Sequence, residues 1–420
     1  MGLWGPPLIA ADRLTIGGLA QNAGYRTACV GKWHLGWDWP VAEADRAMFT
    51  RAIPRGGDAS AEVQQIWSRV FSQQIDGGPI TRGFDEYFGT DVPNWPPYCF
   101  IEGDRTVGVP SMVLDSGLLG NNQASQQGPA LPDWNLEQIL PALTDRACRF
   151  LSESAEQRQP FLLYVPFTLP HTPLAVNSEW RGRSGLNAYA DLVMETDAAV
   201  GTILETLQRL ELAQSTLVIF TSDNGCAHYI DTAGLERQGH FPSGDFRGYK
   251  SDAWEGGHRV PFIVRWPGVV QAGSTSARLI HQADVMVTIA EVLQQTPAAD
   301  CAEDSFSMVP LLHGKDVEIR EHAVSCSIQG VPALRSGNWK YLPVSGSGGW
   351  TAGGDESEPV QLYDLDQDPG ERNNLAKQLP EKVPEMQQLL EHLITQGRSN
   401  EGARRQNDVR VRRYNPVSTK

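Results

Sequence analysis

Long apolar runs are missing from this sequence of 420 residues. No stretch approaches the ~20 consecutive apolar residues of a membrane-spanning helix. The opening MGLWGPPLIAADR has neither the basic nor the apolar region of a signal peptide, and read literally it describes a cytoplasmic chain. Basic charge is scarce as well: 35 Lys and Arg stand against 50 Asp and Glu, for a net charge of -15. The molecule as a whole therefore repels nucleic acid and anionic membranes, and an anionic ligand needs a locally basic pocket. Paired cysteines are absent. Cys29, Cys99, Cys148, Cys226, Cys301 and Cys326 are scattered singly, which speaks against a zinc or redox motif and for buried free thiols.

What is there has the balance of a soluble α/β enzyme with long loops: 40% hydrophobic and 20% charged residues, 41 Gly and 28 Pro. The length is ample for a core without disulfides, as one large domain or two. ADRLTIGGLAQNAG predicts a short helix with a capping Asp, followed by the strand-like TACV. Residues 40–75 read as helical, and 91–132, rich in Pro, Gly, Asn and Gln, as an irregular excursion of the kind that shapes pockets. Helices near 134–155 and 186–210 then alternate with apolar strands at 161–167 and 216–220. A strand at 260–266 and a helix at 283–294 extend the series. That alternation predicts a mostly parallel sheet covered on both faces. After about residue 315, the short strands HAVSCSI, PALRSGNWKYLP and VQLYDLD and a helix near 381–395 predict a small antiparallel sheet with a helix packed on it. The stretch from Arg398 on reads as a solvated basic tail.

In open α/β sheets ligands gather beyond the carboxyl ends of strands, so polar residues directly after a strand come first. TLVIFTSDNG delivers Asp223 and Asn224, a carboxylate and an amide oxygen suited to a hard cation. VGKWHLG delivers Lys32 and His34 on one side of an extended segment. FLLYVPFTLPHTP delivers His171 between two prolines, and FRGYKSDAWEGGHRVPF delivers Lys250. Singly, each has a plain alternative: DNG is a turn signal, a lone Lys is solvated, and a lone His is structural. Together they describe an anion site beside an oxygen-ligated metal, as hydrolysis of a sulfate or phosphate ester requires.

GYRTACVGKWHLG, GFDEYFG, PHTP, FTSDNG and RGYKSDAWEGGHRVPFIVRWPG, in this order, resemble the arylsulfatase-like sulfatases, and LYDLDQDPGERNNLA resembles a segment near the end of such enzymes. The resemblance implies an alkaline-phosphatase-like α/β fold, a mixed sheet between helices with a small C-terminal antiparallel sheet plus helix. It divides the chain into a catalytic domain over 1–315, a subdomain over 316–396 and a flexible tail over 397–420. It implies that Lys32 and His34 hold the sulfate and the nucleophile, that His171 and Lys250 contact the sulfate and assist the leaving oxygen, and that Asp223 and Asn224 ligate one calcium ion. The implied substrate is a sulfated carbohydrate or an aryl sulfate.

The family also uses an Asp pair after its first strand, and a C-x-P-x-R or S-x-P-x-R segment whose Cys or Ser becomes formylglycine. Only 31 residues precede Lys32, and neither pattern occurs in the chain. The reading is therefore of a sulfatase lacking its nucleophile segment, by truncation rather than decay, exported in its full-length form and inactive as this chain. The alternatives are a phosphodiester or phosphonate monoester hydrolase, and a non-catalytic protein that binds sulfated glycans.

Overall fold

In the computed structural model, which describes residues 2–120, 125–354, 358–412 and 414, the chain divides into two units, residues 1–213 and 214–420. In the first, the hydroxyl of Thr15 accepts from Gly18 N–H (3.1 Å) and caps helix α1, Ile16–Asn22. The helix thus starts a turn later than the expected cap, Asp12. It leads into β1 (Arg26–Lys32), followed by α2 (Arg46–Phe49), α3 (Ala61–Phe71), β2 (Glu86–Thr90), β3 (Ile101–Glu102), β4 (Arg105–Thr106), β5 (Met112–Val113), β6 (Pro129–Ala130), α4 (Ile139–Gln157), β7 (Phe161–Tyr164) and α5 (Ala188–Arg209). The helical expectation for 40–75 holds for α2 and α3 only. Between them Pro54 and the pair Gly56-Gly57 interrupt the helix, and Ser60 restarts it by accepting from Val63 N–H. Of the expected excursion over 91–132, residues 121–124 lie outside the described residues.

The sheet runs β4-β3-β2-β1-β7. Strands β2, β1 and β7 are parallel, with Lys32 opposite Thr90 and Cys29 opposite Tyr164. Strands β3 and β4 add an antiparallel border. The alternation of side chains explains why the middle of β1, from Ala28 to Val30, is apolar on both faces. Ala28 and Val30 pack on Leu143, Ala147 and Phe150 of α4, while Cys29 faces Trp33, Trp37 and the α3 residues Ile66, Trp67 and Val70. Strand β7 is just as apolar but ends the sheet order, and Tyr164 is 42% exposed.

The second unit contains β8 (Val218–Thr221), α6 (Thr232–Arg237), α7 (Glu255–His258), β9 (Phe262–Arg265), α8 (Asp284–Val292), α9 (Val309–Leu312), β10 (His322–Cys326), β11 (Pro332–Ser336), β12 (Trp339–Leu342), β13 (Gln361–Asp364) and α10 (Lys382–Gln396). Strand β9 was expected to extend a parallel sheet. It pairs antiparallel with β8 instead, in a two-stranded ribbon on which Phe220 and Ile263 are exposed.

The C-terminal strands form the expected antiparallel sheet, β10-β11-β12-β13. One face, with Leu334, Tyr341 and Leu362, is covered by Met386, Leu390 and Leu393 of α10. The other, with Val331, Ala333, Leu342 and Tyr363, packs on Ala253 and Trp254. The boundary expected at 315 therefore does not separate two cores, because residues on both sides of it share this one. Nor is the stretch after 397 free in its described part. Asn400 donates to the carbonyls of Ala302 (2.8 Å) and Ser305 (3.2 Å), and Asn407 to that of Ile394 (2.7 Å). Residues 413 and 415–420 of the expected tail lie outside the described residues.

Candidate functional site

Within the first unit, three of the sequence-selected residues lie beyond the carboxyl ends of the parallel strands. Lys32 ends β1, and its N–H donates to the carbonyl of Pro166 (2.7 Å), on the segment that leaves β7. His34 follows with φ 50, its ring edge-on to Trp95 at 5.5 Å. His171 stands on the segment that continues from Pro166, between two cis prolyl bonds, half-buried. Its Nδ1 lies 2.7 Å from the carbonyl oxygen of Thr172. A carbonyl only accepts, so Nδ1 carries the proton and Nε2 is the ring atom that can exchange one.

A fourth residue belongs with them. Asp91, the first residue after β2, is buried; it accepts from the Trp37 indole (3.1 Å) and from the backbone of His34. Burial pushes its carboxyl up to about 6, against those two hydrogen bonds and the charge of Lys32. Sequence reasoning passed over Asp91 although FGTDVPN carries the strand-end signal that picked out Lys32.

Asp223, Asn224 and Lys250 fall in the second unit, on two loops tied to each other. Asn224 Nδ2 donates to the carbonyl of Gly225 (3.0 Å), which leaves Oδ1 as its hard oxygen. Gly225 N–H donates to Gly257 of α7 (3.0 Å). A Cβ on Gly225 would stand 1.9 Å from the carbonyl oxygen of Gly256, so only glycine allows this approach. Lys250 N–H in turn donates to the carbonyl of Cys226 (2.7 Å).

Helix α7 is held from behind by buried charge. Lys340 Nζ lies 2.9 Å from Glu255 Oε1 and 2.8 Å from Glu371 Oε1, all three side chains at most 3% exposed. Glu371 also accepts from Glu255 N–H (2.6 Å). Burial opposes ionisation of Glu255, yet the charges of Lys340 and then His258 hold it down at about 2. His258 is pushed down to about 4, by burial and then by Lys340.

Asp223 and Asn224 suit calcium in kind. They are two donors against the roughly six to eight oxygens such an ion takes, and among the described residues no group of three or more His, Cys, Asp or Glu could hold a metal. The residues present do not suit formylglycine, since no Cys or Ser stands in the required pattern. Cys29 and Cys99 are buried, and burial drives both thiols far up, away from the nucleophilic thiolate.

Lys32, His34 and His171 in the first unit, and Lys250, Asp223 and Asn224 in the second, are residue types that one class of proteins uses, the hydrolases of anionic esters. The comparisons narrow it: residues 3–295 match the Sulfatase family model. The chain belongs to that family, the sulfuric ester hydrolases. It is 34% identical over 412 residues to the N-acetylgalactosamine-6-O-sulfatase of Bacteroides thetaiotaomicron, covering 91% of this chain and 77% of that protein. A solved structure from work on the metabolism of multiple glycosaminoglycans by Bacteroides thetaiotaomicron has a TM-score of 0.75 at 29% identity, covering 92% of this chain and 84% of that one. The phosphonate monoester hydrolase of Agrobacterium radiobacter, with a TM-score of 0.51 at 17% identity over 92% of this chain and 81% of its own, shares the fold alone. The fold is the alkaline-phosphatase-like one expected. No helix among the described residues is long and apolar enough to cross a membrane.

Proposed function

We propose that this chain recognises the sulfate ester of a sulfated sugar and that Lys32, His34, His171 and Lys250 are its working residues. The observation that carries the reading is the tie of Lys250 to the loop of Asp223 and Asn224, through the 2.7 Å bond to Cys226. A bound sulfate monoester keeps its negative charge at neutral pH, so fixed cations must offset it; Lys32 and Lys250 do so. His34, whose backbone is bonded to the Asp91 carboxylate, orients the group beside Lys32. His171, with Nδ1 committed to the Thr172 carbonyl, keeps Nε2 for a hydrogen bond to the bridging oxygen of the bound ester. Asp223 and Asn224 would hold calcium, which when bound adds positive charge against the ester oxygens. No residue here is assigned as nucleophile.

The relative active on N-acetylgalactosamine 6-O-sulfate makes N-acetylgalactosamine 6-sulfate the natural probe. In calorimetry, Lys32→Ala, His171→Ala and Lys250→Ala should each weaken its binding roughly ten- to hundredfold, as expected for a lost hydrogen bond to a charged group. Unchanged affinity in all three would sink the assignment.

A further inference from the structure

The loop after β12 carries an aromatic surface that these roles leave unused. Trp350 is 44% exposed. Its ring centroid lies 6.1 Å from those of both His228 and Tyr229, which are 5.4 Å apart. A large aromatic side chain left in water forgoes the free energy of burial, and here three rings converge on a rigidly held backbone. Trp350 N–H donates to Ser251 Oγ (2.9 Å), Thr351 N–H to Asp252 Oδ1 (3.2 Å), and Ser347 Oγ to the Thr351 carbonyl (2.8 Å). Gly349 makes the approach possible, since a Cβ there would stand 2.4 Å from Asp252 Oδ1. Ser251, the residue after Lys250, is itself held at φ 85, a conformation rare for a side-chain-bearing residue. The anchor of Trp350 is thus one position from Lys250. His228 is two positions beyond Cys226, to which Lys250 is bonded.

We propose that His228, Tyr229 and Trp350 form a stacking platform for the pyranose ring of the sulfated sugar, a specificity element that selects a sugar ester over a bare anion. The proposal rests on the assignment of Lys250 to the sulfate. One face of a hexopyranose presents C–H bonds with slightly positive hydrogens, which pack on the negative face of an indole as aromatic edges do. The hydroxyl rim of the sugar then meets the polar tips of His228 and Tyr229, which an all-apolar patch would not offer.

The test is calorimetry and saturation-transfer NMR on the full chain, with N-acetylgalactosamine 6-sulfate and inorganic sulfate as separate probes. Trp350→Ala should weaken the sugar about three- to tenfold, the worth of one aromatic stacking contact, and leave inorganic sulfate unchanged. Trp350→Phe should keep most of the sugar affinity, and saturation transfer to the ring protons should fall in Trp350→Ala alone. If Trp350→Ala binds the sugar as the parent does, the platform is overturned and Lys250 keeps its role. If Lys250→Ala keeps its affinity for inorganic sulfate while Trp350→Ala loses the sugar, the platform stands and the role of Lys250 falls. A parent chain that binds neither probe overturns both.

Discussion

Lys340 and Glu255, 85 positions apart in sequence, meet at 2.9 Å inside the second unit, where neither side chain is more than 3% exposed. Through that contact the C-terminal sheet holds α7, and α7 holds the loop of Asp223 and Asn224. Removing one member of a buried pair strands the other, at a cost of about 3–5 kcal/mol. Lys340→Met should lower the unfolding free energy by that amount, seen as a fall in the denaturant midpoint, because Glu255 and Glu371 lose their shared cation. Lys340→Arg should recover part of it. A midpoint for Lys340→Met within experimental error of the parent would mean that the pair contributes little.

Asp91 gives the fold an unusual pH dependence. A carboxyl whose folded value is raised, here from 3.8 to about 6, binds more protons in the native than in the unfolded state. Stability therefore falls as pH rises through that interval, by about 3 kcal/mol in all. Asp91→Asn keeps an oxygen for the Trp37 indole and removes the titration. The Tm difference, Asp91→Asn minus parent, should open between pH 4 and 6 and level off above. A difference that stays flat over that range would place the Asp91 titration elsewhere.

Calcium should bind weakly, because Asp223 and Asn224 supply two of roughly six to eight oxygens. Gly225→Ala should weaken it further, since its Cβ would meet the Gly256 carbonyl at 1.9 Å and push the loop aside. Calorimetry checks both. Tight, stoichiometric binding by the parent would reveal ligands beyond these two.

With no Cys or Ser in the formylglycine pattern, the chain should bind an aryl sulfate without useful turnover. Co-expression with a formylglycine-generating enzyme should leave its intact mass unchanged. Positioning and electrostatics alone can leave roughly a thousand to ten thousand times the rate in water. Hydrolysis well above that level would point to another nucleophile.

The strand-end residues were legible because local signals carry them. A short apolar run ending in a polar residue marked Lys32 and Asp223 as well as the strands that position them, and the C-terminal sheet was visible in its alternation and turns. What the sequence concealed is long-range. Nothing in EGGH announces that Glu255 pairs with a lysine 85 residues on, and so the boundary at 315 looked real. The partner of β9 was equally hidden, since an apolar run says that a strand is buried but not which neighbour it takes or in which direction. Asp91 was hidden differently: its strand signal was present, but its role depends on burial between Trp37 and His34.

Strand β7 and the ribbon of β8 and β9 bring a practical consequence for anyone handling the protein. Tyr164, Phe220 and Ile263 lie exposed on short apolar strands, and a strand border with greasy neighbours is a template on which another molecule can zip. Preparations should lose monodispersity as they are concentrated, with light scattering that rises on warming and recedes on dilution. Storage in dilute solution is then the sensible choice, and crystallisation trials are best begun with a Lys substitution at Ile263.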